Sequence, residues 1–126
     1  MIILDGSALF AILLDEPEAD RCVDAIENAD KLLISAASFT ECLIAAAGKG
    51  VSERMNALLN GLDIEIIPLT EQRARAAADG YRIWGRGFHK AALNYGDSFA
   101  YALAKEFGCP LLFVGNDFAR TDIEAA

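Results

Sequence analysis

Four acidic residues, Asp5, Glu41, Asp97 and Asp117, stand where charge is hardest to accommodate in this sequence. Asp5 ends the apolar run Ile2-Ile3-Leu4, and Asp117 follows Leu111-Leu112-Phe113-Val114 after a Gly-Asn step. Glu41 interrupts an apolar helical segment and Asp97 opens another. If the two runs are neighbouring parallel strands, the carboxylates converge at the carboxyl edge of a sheet. Clustered carboxylates repel one another unless a cation sits among them, and hard oxygen donors suit Mg²⁺, with Mn²⁺ as a substitute. Such an ion activates a water and stabilises charge developing on phosphate oxygens. Metal-assisted hydrolysis of a phosphodiester is therefore the first expectation.

Each acid also has a plainer reading. Asp5 lies between a strand and a helix, where a carboxylate makes a good N-cap. In Ala36-Ala-Ser-Phe-Thr-Glu-Cys-Leu-Ile-Ala-Ala-Ala47 the residues four before and four after Glu41 are both alanine, so no ion pair along the helix accounts for it. If buried, it needs a cation or a shared proton; if not, it is an ordinary surface glutamate. Asp97, in the first turn after Asn94, suits the positive end of a helix dipole. Asp117 fits a turn, Asn116 is a substitute ligand beside it, and Asp122 reads as a solvated helix residue. The hydroxyl of Ser7, in Asp5-Gly6-Ser7, is the nearest supporting group. No second carboxylate follows Asp5 two residues on, which argues against a phosphoaspartate mechanism of the haloacid dehalogenase kind.

One segment concentrates basic and aromatic residues, Tyr81-Arg-Ile-Trp-Gly-Arg-Gly-Phe-His-Lys90. Arg82, Arg86, His89 and Lys90 could meet phosphates while Trp84 or Phe88 stacks on a base. The same residues also suit a helix end whose aromatics enter the core. His89 is the only histidine, so neither a histidine-rich zinc site nor a histidine-based triad is supported.

These side chains need a scaffold, and the sequence points to one. Ile2–Leu4, Leu32–Ile34, Ile64–Ile67 and Leu111–Val114 are short non-alternating apolar runs, the mark of strands covered on both faces. Helices are expected over Ser7 to Leu14, Pro17 to Asn28, Ala36 to Ala47, Val51 to Asn60, from a Thr70 cap to Trp84, and over Tyr95 to Phe107 after Asn94. Alternation of strands and helices predicts an α/β domain with a mostly parallel sheet of about four strands, one domain over residues 1–126. At that length about two-thirds of the unfolded surface is buried on folding. Apolar residues make up 54% of the chain, which excludes disorder, and no run is long enough to span a bilayer. Cys22, Cys42 and Cys109 form no CxxC pair; reduced, buried thiols and a cytoplasmic location are expected. With 19 Asp and Glu against 11 Lys and Arg the net charge is −8, so contact with nucleic acid must rest on a local basic patch.

Several segments together resemble the PIN-domain ribonucleases, specifically the toxins of VapC type. They are Ile2-Ile-Leu-Asp5 with Ser7-Ala-Leu9, Asp15-Glu-Pro-Glu18, Ser38-Phe-Thr-Glu41, Gly87-Phe-His-Lys-Ala91, Leu93-Asn-Tyr-Gly-Asp-Ser-Phe-Ala-Tyr-Ala-Leu-Ala104, Pro110-Leu-Leu-Phe-Val-Gly-Asn-Asp-Phe118 and Thr121-Asp-Ile123. The resemblance implies a three-layer α/β/α fold and Mg²⁺-dependent endoribonuclease activity. It carries the acidic metal-binding set onto Asp5, Glu41, Asp97 and Asp117. It also implies RNA as substrate, a VapB-type antitoxin as partner and a homodimer. Gly6 stands where the family commonly has Thr or Ser, and Asn116 where many relatives have an acid. Those departures frame the competing expectation, a catalytically weak PIN-fold module for protein binding. A phosphoacceptor receiver also gathers acids at strand ends, but here Asp5 is unpaired and Leu32–Ile34 ends in Ser35.

Overall fold

The apolar runs become four parallel strands in the computed structural model, which describes residues 1–126. They are β1 (Ile2–Leu4), β2 (Leu32–Ser35), β3 (Ile64–Ile67) and β4 (Leu111–Leu112), ordered β3-β2-β1-β4. Ile3 stands opposite both Leu33 and Leu111, so β1 is central. From β1 the chain steps outward through β2 to β3, then returns to lay β4 on the other side of β1. The order of strands reverses between β1 and β4, and a ligand crevice in such a sheet forms at the carboxyl ends of the strands flanking that point.

Helices α1 (Gly6–Leu13), α2 (Ala19–Asn28), α3 (Ala36–Gly48) and α4 (Ser52–Gly61) cover one face of the sheet, packing on Ile2, Leu4, Leu32, Ile34 and Leu112. Helix α6 (Asp97–Phe107) packs on the other, with Ile3, Leu33, Ile67 and Leu111, and α5 (Glu71–Trp84) packs against α6. Successive strand residues serve opposite cores, which is why the runs show no polar alternation. The result is the expected three-layer α/β/α arrangement. Beyond β4, the amide of Ala126 donates to the carbonyl of Leu111, and the amide of Leu111 donates to that of Glu124, so the C-terminal tail covers the β4 edge.

Several boundaries shift by one residue, as at β2, α1, α3 and α4, and three others differ for a local reason. β4 stops at Leu112 because the amide of Val114 turns to the Ser7 hydroxyl instead of continuing the ladder. α2 begins at Ala19, leaving Pro17 in the preceding turn. α6 begins at Asp97, not Tyr95, because Asn94 and Asp97 close a reciprocal pair of bonds just before it. Thr70 caps α5, accepting from the amide of Arg73. Gly80 in mid-α5 is required by packing: a Cβ there would lie 2.9 Å from the Tyr101 ring of α6. The three cysteines are free and buried, and no helix is long and apolar enough to cross a membrane.

Candidate active site

Asp5 leaves β1 at the carboxyl edge of the sheet and caps α1. Its Oδ2 accepts from the Ser7 amide at 3.1 Å and from the Ser7 hydroxyl at 2.5 Å. The Ser7 Oγ in turn accepts from the Val114 amide at 3.0 Å. One hydroxyl therefore ties the carboxylate at the end of β1 to the chain leaving β4, which leads three residues later to Asp117. Ser7 supplies the hydroxyl contact that Gly6 cannot.

Asp97, only 8% exposed, opens α6. Its amide donates to Asn94 Oδ1 at 2.8 Å, and its Oδ2 accepts from the Asn94 amide at 3.2 Å. Each residue holds the other, in the manner of a capping box. Glu41 projects from α3 toward the same place. Asp5, Glu41 and Asp97 line one cavity of about 180 Å³, with Ser7, Ser38, Asn94 and the ring of Phe10 in its wall.

The electrostatics record the crowding. Burial pushes the Asp97 carboxyl up to about 7, the Asn94 amide opposes the shift, and the charges of Asp5, Asp117 and Glu41 add to it. Burial also raises Asp5, against the two Ser7 bonds and with help from Asp117. Glu41 is raised by burial and by Asp5, and the Cys42 thiol by burial and Asp5, to about 11. Asp5 and Asp97 thus feel the charge of Asp117, and Glu41 feels that of Asp5 and adds to Asp97. Three of them share a cavity; Asp117, exposed with Asn116 in the loop after β4, approaches from outside it.

Glu41 differs in one respect from the argument that singled it out. It is exposed to solvent along much of its length, so it forms a wall of the cavity, not an isolated buried charge. Its carboxylate instead lies directly against Gly96. A Cβ at position 96 would come within 2.5 Å of the Glu41 carboxyl carbon. Gly96 has an ordinary helical backbone conformation, so close approach, not backbone freedom, is what requires a glycine there.

Gly96 and Ser38 escaped the sequence reading. Ser38 is 4% exposed and its hydroxyl is the one buried side-chain polar atom without a hydrogen-bond partner. It lines the acidic cavity, and an orphaned buried hydroxyl there indicates a polar or hydrated occupant. Neither role has a local sequence signal, because both depend on how α3 meets the start of α6.

The basic segment is only partly available for a ligand. Arg82 is paired with Asp79 one helical turn back. His89 turns inward: its ring lies edge-on to Trp84 at 4.8 Å, and its Nδ1 accepts from the Ala91 amide. Trp84 donates to the Tyr101 hydroxyl, and Phe88 packs against Tyr81. Arg82 and His89 thus each have a partner within the chain, while Arg86 and Lys90 stay exposed and make no ion pair. Asp122 is non-helical, accepting from Tyr101 and Lys105.

The donor set fits a hydrated divalent ion: hard carboxylate oxygens around a small polar cavity, whose charged forms are disfavoured by burial first and by one another second. No group of three or more Asp, Glu, His or Cys side chains forms a ready-made metal cage.

Comparison with known proteins agrees with this architecture. The PIN domain family matches residues 2–124. Ribonuclease VapC30 of Mycobacterium tuberculosis is 41% identical over 125 residues, covering 97% of this chain and 95% of that protein. The crystal structure of Mycobacterium tuberculosis VapC20, described as a sarcin-ricin loop cleaving toxin, superposes with a TM-score of 0.81 at 11% identity, over 100% of this chain and 98% of the other. A toxin–antitoxin complex from Klebsiella pneumoniae gives a TM-score of 0.74 at 18% identity, over 97% and 93%.

Proposed function

The chain belongs to the PIN-domain family and, within it, to the VapC-type toxins; from that premise we propose that it is a Mg²⁺-dependent endoribonuclease, with Mn²⁺ able to substitute. The observation that carries this reading is the meeting of Asp5, Glu41 and Asp97 in one cavity at the point where strand order reverses. Asp5 and Asp97 would hold the ion, with Glu41 and, from the loop after β4, Asp117 completing the set through direct or water-mediated contacts. When bound, the ion supplies a polarised water and charge stabilisation at the phosphate.

The chain's own groups prepare that chemistry. Ser7 orients the Asp5 carboxylate and Asn94 that of Asp97, so neither must reorganise when the substrate arrives. Gly96 leaves room for Glu41 at the cavity wall. Neutralising the mutual repulsion of the acids is itself favourable, which couples metal binding to the ionisation of Asp97.

The Ser7–Asp5 bond supports an active nuclease over a catalytically weak binding module, because it fixes the Asp5 carboxylate in the cavity wall. By analogy with the complexes formed by its structural relatives, its partner is a VapB-type antitoxin that occludes the cavity. The protein works as a homodimer of single PIN-like domains in the cytoplasm.

The test is cleavage of a structured RNA by purified protein. Cutting is expected with Mg²⁺ or Mn²⁺ and not in EDTA, and Asp5→Ala or Asp97→Ala should lower the rate by at least about 10²-fold. Undiminished cleavage in EDTA, or by both variants, would overturn the proposal.

A further inference from the structure

The basic residues divide into two populations. Lys31, Arg73, Arg75, Arg82 and Lys105 are each ion-paired with a carboxylate. Four of these five lie on α5 or α6, and Lys31 precedes β2 at the amino edge of the sheet, opposite the acids. Even the largest groove of the molecule, about 620 Å³ between α5 and α6, carries Arg73 and Lys105 already neutralised by Glu106 and Asp122.

Of the six cations without a carboxylate partner, Arg86 stands exposed in the loop after α5, and the other five can be followed outward from the acidic cavity or from the loop after β4. Lys49, one turn beyond Ala45 in the cavity wall, holds its ammonium 5.8 Å from the centre of the Phe10 ring, and Phe10 lines the same cavity. Arg54 donates to the carbonyl of Leu13, at the end of α1 a turn farther out. The surface beside α1 therefore runs from the carboxylates past Lys49 at the end of α3 to Arg54 on α4, neither cation having a carboxylate partner. On the β4 flank, Arg21 donates to the carbonyl of Phe113, next to the Val114 amide that holds Ser7. Arg120, three residues after Asp117, donates to the carbonyl of Lys90. A guanidinium bonded once to a carbonyl keeps most of its donors and its whole charge for a ligand.

We propose that Lys49 and Arg54 on one flank, and Arg21, Arg120 and Lys90 on the other, form a phosphate track that carries an RNA strand across the acidic cavity. The inference rests on the nuclease reading and names the surface through which a chain of net charge −8 grips a polyanion. Each neighbouring phosphate meets an uncompensated cation while the scissile one is set among the carboxylates. The paired cations of α5 take no part. The track replaces the Arg82–Lys90 segment as the main RNA contact, retaining only Lys90 from it.

The experiment measures binding of a short labelled single-stranded RNA to the Asp5→Asn protein in Mg²⁺ buffer over a range of salt. Lys49→Ala and Arg21→Ala should each weaken binding and reduce the slope of log affinity against log salt by about 0.7, the contribution of one phosphate contact on a single strand. Arg75→Ala, which removes an ion-paired cation, should leave the slope unchanged. Arg21→Lys, which keeps the charge, should restore it, and Lys49→Ala alters an exposed helix end without touching the core. Equal slopes for Lys49→Ala, Arg21→Ala and Arg75→Ala would overturn the track, while Mg²⁺-dependent cleavage by the unmodified protein would leave the nuclease reading standing. Loss of that cleavage as well would bring down both.

Discussion

Asp97 is the residue whose environment has the most direct consequence. Its carboxyl is held near 7 in the folded protein against an ordinary value of 3.8. The folded state therefore binds more protons than the unfolded state between those limits, and stability falls as pH rises through that window. Asp5 and Glu41, raised for the same reasons, act in the same direction. Metal-free protein in EDTA should lose thermal stability as pH is raised from about 4 to about 7. Asp97→Asn should flatten that decline and stabilise the protein above pH 7 by roughly 1–4 kcal/mol. A thermal midpoint that is constant or rises across the window would contradict the assignment. Gly96 gives a second prediction. Its neighbour is the movable end of Glu41, so Gly96→Ala should fold normally yet push the carboxylate out of the cavity. Cleavage should fall by roughly 10²-fold. The same change on a Glu41→Ala background should cost little more, since the displaced group is already gone.

Among the elements, α5 and α6 approach each other closely at Gly80. Gly80→Ala would normally favour a helix, but here its methyl meets the Tyr101 ring at 2.9 Å. Denaturant unfolding should show a loss of about 1–3 kcal/mol, whereas alanine in an exposed helix would add stability. The strands were legible because burial on both faces leaves uninterrupted apolar runs, and Asp5 was legible because it breaks one. Glu41 was found through the missing ion-pair partner, although it proved a wall residue and not a buried one. Ser38 and Gly96 left no local trace, since their importance arises only when α3 meets the chain before α6. Arg82 and His89 show the opposite limit. Their clustering is visible in sequence, but their engagement by Asp79 and by Trp84 and Ala91 is a product of packing.

Over the whole molecule, charge is sorted more sharply than its net value suggests. Carboxylates neutralise the cations of α5 and α6, whereas Lys49 and Arg21 stand unneutralised beside residues of the crevice where strand order reverses. The parallel sheet makes this possible by sending β1 and β4 out at one edge, so loops distant in sequence share a rim. The largest apolar hollow, bordered by Leu69, Ala77, Tyr81, Tyr95 and Phe99, lies apart from the acids and gives the surface a second character. Trp84 closes α5 just before the loop that descends to Asn94 and Asp97, and it is the only tryptophan. Its indole bonds to Tyr101 and borders His89, so its intrinsic fluorescence is an optical gauge of that loop without any attached dye. Titrating Mg²⁺ into the protein while following emission should report whether the descent to Asp97 tightens on loading, and an unchanged spectrum with metal demonstrably bound would show a loop already set.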